Sequence, residues 1–530
     1  MTFNGKELRL LKPEKKSLLR IVFGRTGIIT LLMLAQVVLL MELPSLLSVH
    51  FPLLFNLLNG AAATVVLSVI IVIWLVRKYD NPMYKITWML VIVLLPLFGT
   101  LLYAYIRSDL GHRVIKSRVQ SLMDMTRECL HTEEQVREEL KQGDASLLQL
   151  ENYLERTGCY PVYKNTKVTY YPLGDQAFTA MLEQLEKAEH FIFLEYFIVE
   201  EGHMWGQILE ILARKASEGV EVRLMYDGTC EFSTLPRIYP EKLRKLGIKC
   251  KMFAPIMPFV STHYNYRDHR KIMVIDGRVS FTGGINLADE YINKKVKHGH
   301  WKDTAVMLQG EATRSFTLMF LQMWHVNQDG PHDLHWLEAP VEPMPDAQGY
   351  VMPYGDCPLD DYRVGEMVYI DILSRAKDYV YIMTPYLIVD SELENALLFA
   401  AQRGVDVRMI LPGIPDKKIV NALAKGSYER LVRNGVKIYE YIPGFVHAKV
   451  MVSDNEKAVV GTINFDYRSL YHHFECAAYI YQMPETIESI RCDVMNTLKK
   501  CRRITWEQAK KQKLTTRWTA KLIRIIAPLL

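Results

Sequence analysis

Two stretches of this 530-residue chain read His-x-Lys-x-x-x-x-Asp, and each is followed, after six intervening residues, by Gly-x-x-Asn. The first comprises His269, Lys271 and Asp276, then Gly283 and Asn286; the second comprises His447, Lys449 and Asp454, then Gly461 and Asn464. A single short motif arises easily by chance, but two copies with the same downstream pair at the same distance do not. Two imidazoles can serve as a nucleophile and as its acid/base partner. Two ammonium groups can neutralise non-bridging phosphoryl oxygens, and two amides can donate hydrogen bonds without adding charge. The set matches phosphodiester chemistry in two displacements through a phosphohistidine. Lysine and histidine already supply the charge that a metal ion would bring, so no metal and no cofactor are expected.

These side chains need strands to aim them. After each lysine, Ile272 and Val274, or Val450 and Val452, alternate as in a strand with one buried face, which turns His and Lys toward one pocket. The surrounding sequence repeats as well. AEHFIFLEYFI (188–198) matches AKDYVYIMTPYLI (376–388), EGVEVRLMYDG (218–228) matches RGVDVRMILPG (403–413), and LGIKCKMF (246–253) matches NGVKIYEY (434–441). Helical stretches alternating with apolar strands predict an α/β/α sandwich in each half, with the two halves forming one active site. The expected division is 151–330 for the first half, a Pro-rich linker over 331–349, and 350–500 for the second half.

At these residues the chain resembles the phospholipase D superfamily, whose signature is the duplicated His-Lys-Asp motif, and within it the bacterial cardiolipin synthases. The closer resemblance lies in Asn265-Tyr266-Arg267-Asp268, in NLADEYINK from Asn286, in Trp301 with Asp303, and in Asp466-Tyr467-Arg468-Ser469 with Glu475. It covers nearly the whole chain. It implies a phosphatidyltransferase that condenses two phosphatidylglycerols and releases glycerol, with His269 as nucleophile. It further implies that Asp276 and Asp454 fix the histidine tautomers by pairing across the halves, and that Glu195 and Glu475 lie at the substrate site. A membrane-bound phospholipase D that admits water is the alternative, since excluding water depends on pocket shape.

Net charge is only +5, but basic residues cluster at both ends beside apolar sequence, which favours anionic lipid as a partner over nucleic acid. The eight cysteines show no metal-ligand spacing; Cys230 and Cys476 read as small core residues. Apolar runs at 26–41, 51–76 and 86–106 predict a membrane anchor over 1–106 with two or three helices, and a multi-pass protein of the cell membrane. Whether the third run spans, or is broken by Pro96 and Gly99 into a re-entrant hairpin, decides which face carries the enzyme. Residues 107–150 are expected to form a linker helix. Residues 501–530 are expected to form a basic amphipathic helix with Trp506 and Trp518 at the lipid interface. Sequence leaves the oligomeric state open.

Overall fold

The computed structural model describes residues 7–11, scattered positions between 34 and 52, then 61–77, 82–95, 98–100, 102–104, 110–143, 145–255, 266–328, 330, 332–511 and 523–524. It falls into two compact units: a catalytic unit of 1–12, 117–255 and 266–520, and a second unit of 13–116, 256–265 and 521–530.

The first half of the catalytic unit contains β1 (Lys167–Tyr171), β2 (Phe191–Tyr196), β3 (Glu221–Asp227), β4 (Lys249–Phe253), β5 (Arg267–Asp268), β6 (Lys271–Ile275), β7 (Val279–Gly283), β8 (His300–Lys302) and β9 (Ala305–Gln309). The second contains β10 (Tyr350–Asp356), β11 (Tyr379–Met383), β12 (Leu387–Ile388), β13 (Asp406–Pro412), β14 (Lys437–Tyr441), β15 (Gly444–Val446), β16 (Val450–Ser453), β17 (Lys457–Gly461), β18 (Phe465–Asp466), β19 (His473–Tyr481) and β20 (Cys501–Arg503). The first sheet runs β1-β9-β7-β6-β2-β3-β4 and the second β10-β19-β17-β16-β11-β13-β14-β20, the same order with one strand added. In both, only the two pairings beyond β2 or β11 (β2-β3-β4 and β11-β13-β14) are parallel within the shared order. The duplicated sequence therefore folds as two tandem α/β halves.

Each sheet is covered on both faces, as β2 illustrates. Ile192, Leu194 and Tyr196 join a core with Phe178, Trp205 and Ile208 from the helices Gly174–Glu186 and His203–Ser217. The intervening Phe193 points the other way and stacks on Phe320 of the helix Thr313–His325, with ring centroids 4.7 Å apart. The motif strands are consequently buried at every position, not on the single face that alternation suggested. Cys230 and Cys476 are both fully buried.

Two boundaries differ from expectation. Residues 107–150 do not form one linker helix. The described part holds the helices Leu110–Met125 and Glu134–Gly143 and the start of Ala145–Gly158, whose Val119, Leu122, Val136, Leu140, Leu147 and Leu150 are buried. The C-terminal region does not begin as a helix. Cys501–Arg503 adds an edge strand antiparallel to β14, and a capping box at Thr505 and Gln508 then starts the short helix Trp506–Lys510. Most of the expected amphipathic tail, including Trp518, lies outside the described residues.

In the second unit no helix among the described residues is long and apolar enough to cross a membrane. The helix Ala61–Arg77 has 17 residues, about 25 Å at 1.5 Å per residue. The apolar run at 26–41 lies almost wholly outside the described residues, as do 53–60 and Pro96. The third run is not one straight helix. The helix Pro82–Leu94 ends, Gly99 sits so close to Val91 that a Cβ would lie 2.6 Å from its carbonyl oxygen, and Tyr103 packs on Trp88 with centroids 5.0 Å apart. On a straight helix those two rings would be about 22 Å apart along the axis.

Candidate active site

Each motif histidine is pinned by the opposite half. Strand β5 leads into His269 and pairs with β19 of the second half (Arg267 with His473, Asp268 with Phe474), and the His269 N–H donates to the Phe474 carbonyl at 2.9 Å. Strand β15 leads into His447 and pairs with β8 of the first half, and the His447 N–H donates to the Lys302 carbonyl at 2.7 Å. The two halves thus exchange strands at the site.

They also exchange carboxylates. Nδ1 of His269 lies 2.9 Å from both Glu475 oxygens, and Nδ1 of His447 lies 2.7 Å from Asp303 Oδ2. A carboxylate at Nδ1 places the proton there and leaves Nε2 with its lone pair. These two acids hold equivalent places in the repeat. Asp303 stands two residues before Ala305, which pairs with Gly283; Glu475 stands two before Ala477, which pairs with Gly461. Thr462 and Ser469 hydroxyls also donate to Glu475, whereas Asp303 accepts from the Thr304 N–H at 2.9 Å.

The lysines curl back over their histidines. Lys271 Nζ donates to the His269 carbonyl, and Lys449 Nζ lies 3.0 Å from His447 Nδ1 and donates to the His447 carbonyl. All four side chains are buried. Burial, reinforced by the Lys271 and Lys449 charges, holds His269 well below the usual imidazole range. Burial and Lys449 bring His447 down to about 4, against an opposing pull from Asp303. Burial lowers Lys271 to about 8 and Lys449 to about 7, with Glu475 and Asp303 resisting respectively. Burial is the largest influence on Asp303 and pushes it up, yet His447 and Lys449 outweigh it and leave the acid below its ordinary value.

The motif aspartates do something other than expected. Neither pairs with a histidine. Asp276 accepts from the N–H groups of Glu189, His190 and Phe191, and Asp454 from those of Lys377, Asp378 and Tyr379, at 2.7–3.0 Å. Both occupy the hairpin turn after the motif strand with φ of 52° and 56°, a left-handed conformation that Asp tolerates better than most residues. Their carboxylates tie that turn to the start of β2 or β11.

Asn286 and Asn464 are not equivalent. The Asn286 amide accepts from the Ile198 N–H at 3.0 Å and donates to the Tyr291 hydroxyl at 2.7 Å, so much of its capacity serves the loop. The Asn464 carbonyl oxygen has no partner among the described residues. Glu195 is fully buried, with Arg270 at 4.0 Å; burial and the Asp268 charge push it well above the carboxylate range. Arg270 opposes that push, and neither carboxylate oxygen of Glu195 has a hydrogen-bond partner among the described residues. Glu475 does reach the site, through His269.

Comparison with known proteins places the chain in a family. The family model for the phospholipase D-like domain of cardiolipin synthase matches residues 181–324 and 369–496, and a phospholipase D-nuclease N-terminal model matches 66–107. A cardiolipin synthase of Alkalihalophilus pseudofirmus is 33% identical over 89% of this chain and 94% of its own length. The chain belongs to the cardiolipin synthase family. It is an enzyme of the phospholipase D type. An uncharacterized protein of Streptococcus mutans is 55% identical over 87% of this chain and 99% of its own. The crystal structure of phosphatidylserine synthase from Haemophilus influenzae shares the fold, with a TM-score of 0.54 at 12% identity, covering 68% of this chain and 95% of that one.

For this cardiolipin synthase family member, sequence reasoning missed Asp303 as the partner of His447. The available signal was positional: in each half an acid stands two residues before the alanine that pairs with the Gly of Gly-x-x-Asn. It also missed His473, whose ring lies 5.3 Å from that of His269. Trp301 occupies the corresponding place beside His447, at 5.5 Å.

Proposed function

We propose that the enzyme joins two phosphatidylglycerol molecules into cardiolipin and free glycerol at a single site built from both halves. The observation that carries this reading is the crossed pair of carboxylates. Each leaves one imidazole Nε2 available, with a buried lysine alongside each histidine. Nε2 of His269 attacks phosphorus, the phosphorus–oxygen bond to the headgroup glycerol breaks, and His447 gives that glycerol oxygen its proton. The terminal hydroxyl of a second phosphatidylglycerol then loses its proton to His447 and attacks phosphorus, breaking the phosphorus–nitrogen bond and regenerating His269. Lys271 and Lys449 neutralise the non-bridging oxygens, and the Asn464 NH2 donates to one of them, whereas the Asn286 NH2 is engaged by the Tyr291 hydroxyl. The phosphodiester charge offsets the two lysines, which favours the protonated form of His447 needed in the first step.

Purified protein given phosphatidylglycerol labelled in the headgroup glycerol should yield cardiolipin and labelled glycerol in equal amounts, unaffected by excess chelator. Phosphatidic acid as the main lipid product would mean that water is the acceptor and the enzyme is a hydrolase. Loss of activity with chelator and its return with magnesium would overturn the metal-independent chemistry.

We further propose that residues 1–106 anchor the enzyme in the cell membrane with its catalytic unit in the cytoplasm. Exposed Val69, Ile70, Ile73, Trp74, Leu90 and Val93 form an apolar surface suited to lipid. The N-terminal segment docks on the catalytic unit: Leu8 N–H donates to the Gly206 carbonyl, Leu10 and Leu11 N–H groups to Glu201, and Lys242 to the Leu10 carbonyl. In this reading the runs at 26–41 and 51–76 cross and the third doubles back, and an even number of crossings keeps the flanking segments on one side of the bilayer. The basic residues on both sides of the anchor favour the inner face. Single cysteines at Ser45 and Ser146 should differ in labelling by an impermeant thiol reagent on intact cells, only the first reacting. Labelling at Ser146 would refute the topology.

A further inference from the structure

The mechanism leaves one buried imidazole of the site unused. His473 opens β19 two residues before Glu475, so both side chains leave the same face of the strand. Its Nδ1 has no hydrogen-bond partner among the described residues and lies 3.7 Å from Glu475 Oε1. One ligand atom each from His269, His473 and Glu475 can be chosen so that all three lie within 4.8 Å of one another, and all three residues are buried. Tetrahedral zinc with bonds of about 2.0–2.1 Å sets its ligands about 3.3 Å apart. The 2.9 Å from His269 to Glu475 and the 3.7 Å from His473 to Glu475 bracket that spacing.

We propose that His269, His473 and Glu475 form a binding site for a zinc-class divalent transition metal, and that occupancy of this site switches the enzyme off. Two neutral imidazoles and a carboxylate suit borderline ions such as zinc or cobalt and not magnesium or calcium, which prefer all-oxygen shells. Three protein ligands leave a fourth position for water. The consequence for catalysis follows from the imidazole itself. A metal on Nδ1 of His269 moves the ring proton to Nε2 and removes the lone pair that attacks phosphorus; a metal on Nε2 occupies that lone pair directly. Glu475 is diverted from His269 in either case. Lys271 and Lys449 face the same space and oppose a dication, so the metal acts as a reversible inhibitor and not as a resident cofactor. The other half cannot build such a site, because Trp301 stands where His473 would be needed. The inhibitory consequence rests on the proposed role of His269, whereas the binding itself does not.

Cobalt titration of the full-length, detergent-solubilised protein reads binding without reference to activity. The expected result is one equivalent of cobalt with visible absorption of tetrahedral character, displaced by zinc. In parallel, zinc should inhibit turnover of phosphatidylglycerol, with full recovery on adding chelator. His473→Trp, which copies the residue of the other half, should abolish the cobalt spectrum and raise the zinc concentration for half-inhibition at least tenfold, each protein being compared with its own metal-free rate. His473→Cys supplies a different ligand from the same position and should restore both signals. A cobalt spectrum that survives in a folded His473→Trp variant, or no binding by the wild type, overturns the site. Binding that is lost in His473→Trp while zinc never affects turnover keeps the site and overturns the switch, and with it the nucleophilic role of His269.

Discussion

Replacing Glu475 by glutamine tests the crossed-carboxylate architecture most directly. The glutamate accepts from His269 Nδ1 at 2.9 Å and from the Thr462 and Ser469 hydroxyls, and it is fully buried. Glutamine keeps the size but offers one acceptor oxygen, and its NH2 faces a donor wherever it is turned. The two hydroxyls donate to different oxygens, Thr462 to Oε2 and Ser469 to Oε1, so the amide oxygen serves one of them; an NH2 turned toward Nδ1 of His269 favours a lone pair there and shifts the ring proton to Nε2. The nucleophile is then in the wrong tautomer. At about 1.5–3 kcal/mol for each hydrogen bond to a charged group, losing two costs about 3–6 kcal/mol, which is about 10²–10⁴ in rate at 1.36 kcal/mol per tenfold. The loss should fall on kcat, because Glu475 reaches the reaction only through His269. Rapid-quench trapping of labelled phosphatidyl-enzyme would separate the step, with formation slowed to match steady-state turnover. A folded Glu475→Gln variant that keeps more than a third of wild-type kcat would refute the reasoning, since no tautomer control by Glu475 could then be needed.

Either His269→Ala or His447→Ala should lower turnover below about 1% of wild type, general acid–base help alone being worth about 10²–10⁴; trapped label should sit on His269. The pH profile should lose activity as pH rises through the Lys449 and Lys271 values of about 7 and 8, because deprotonation removes the charge that holds the phosphoryl oxygens. Lys449→Arg, permanently charged, should carry the alkaline limb upward by about one pH unit, read from kcat/KM against pH. Asp276→Asn removes charge from an acceptor of three backbone N–H groups and should lower stability by about 2–4 kcal/mol, measured by denaturant unfolding. The folded fraction of that variant should keep its kcat within a few-fold.

The histidines, the lysines and the two-half architecture were legible because duplication writes them twice at one spacing. Apolar runs such as FIFLEY and YVYIM gave the strands for the same reason, although the helices over both faces bury them more fully than alternation suggests. The roles of the acids were not legible. Asp276 and Asp454 sit inside the motif, yet their partners are backbone N–H groups that leave no mark in sequence. Asp303 and Glu475 earn their places only when the lead-in strands β5 and β15 cross to the opposite half, a tertiary event that local pattern cannot report. The apolar run at 86–106 has the composition of a span, but the close approach of Gly99 to Val91 turns it back.

The two halves are repeats, but their histidines are not electrostatically equivalent, and the difference bears on which of them attacks. Burial, the two lysines and His447 all push His269 in one direction, toward the neutral form, and Lys417 adds to the same effect. A neutral imidazole is a competent nucleophile and a poor acid. His447 is lowered as well, to about 4, while Asp303, at 2.7 Å and with a side-chain hydrogen bond, pulls the other way. A phosphodiester anion beside it adds to the Asp303 pull and raises it toward the range where it can protonate the departing glycerol. The carboxylates match this division. Glu475 is fixed by two hydroxyls as well as by His269, which suits a ring whose lone pair must stay aimed at phosphorus. Asp303 spends its charge mainly on His447, which suits a ring that must gain and lose a proton in each cycle. Exchange of carboxylates between the two repeated halves is thus compatible with unequal roles, because each acid brings its own surroundings from the half that supplies it.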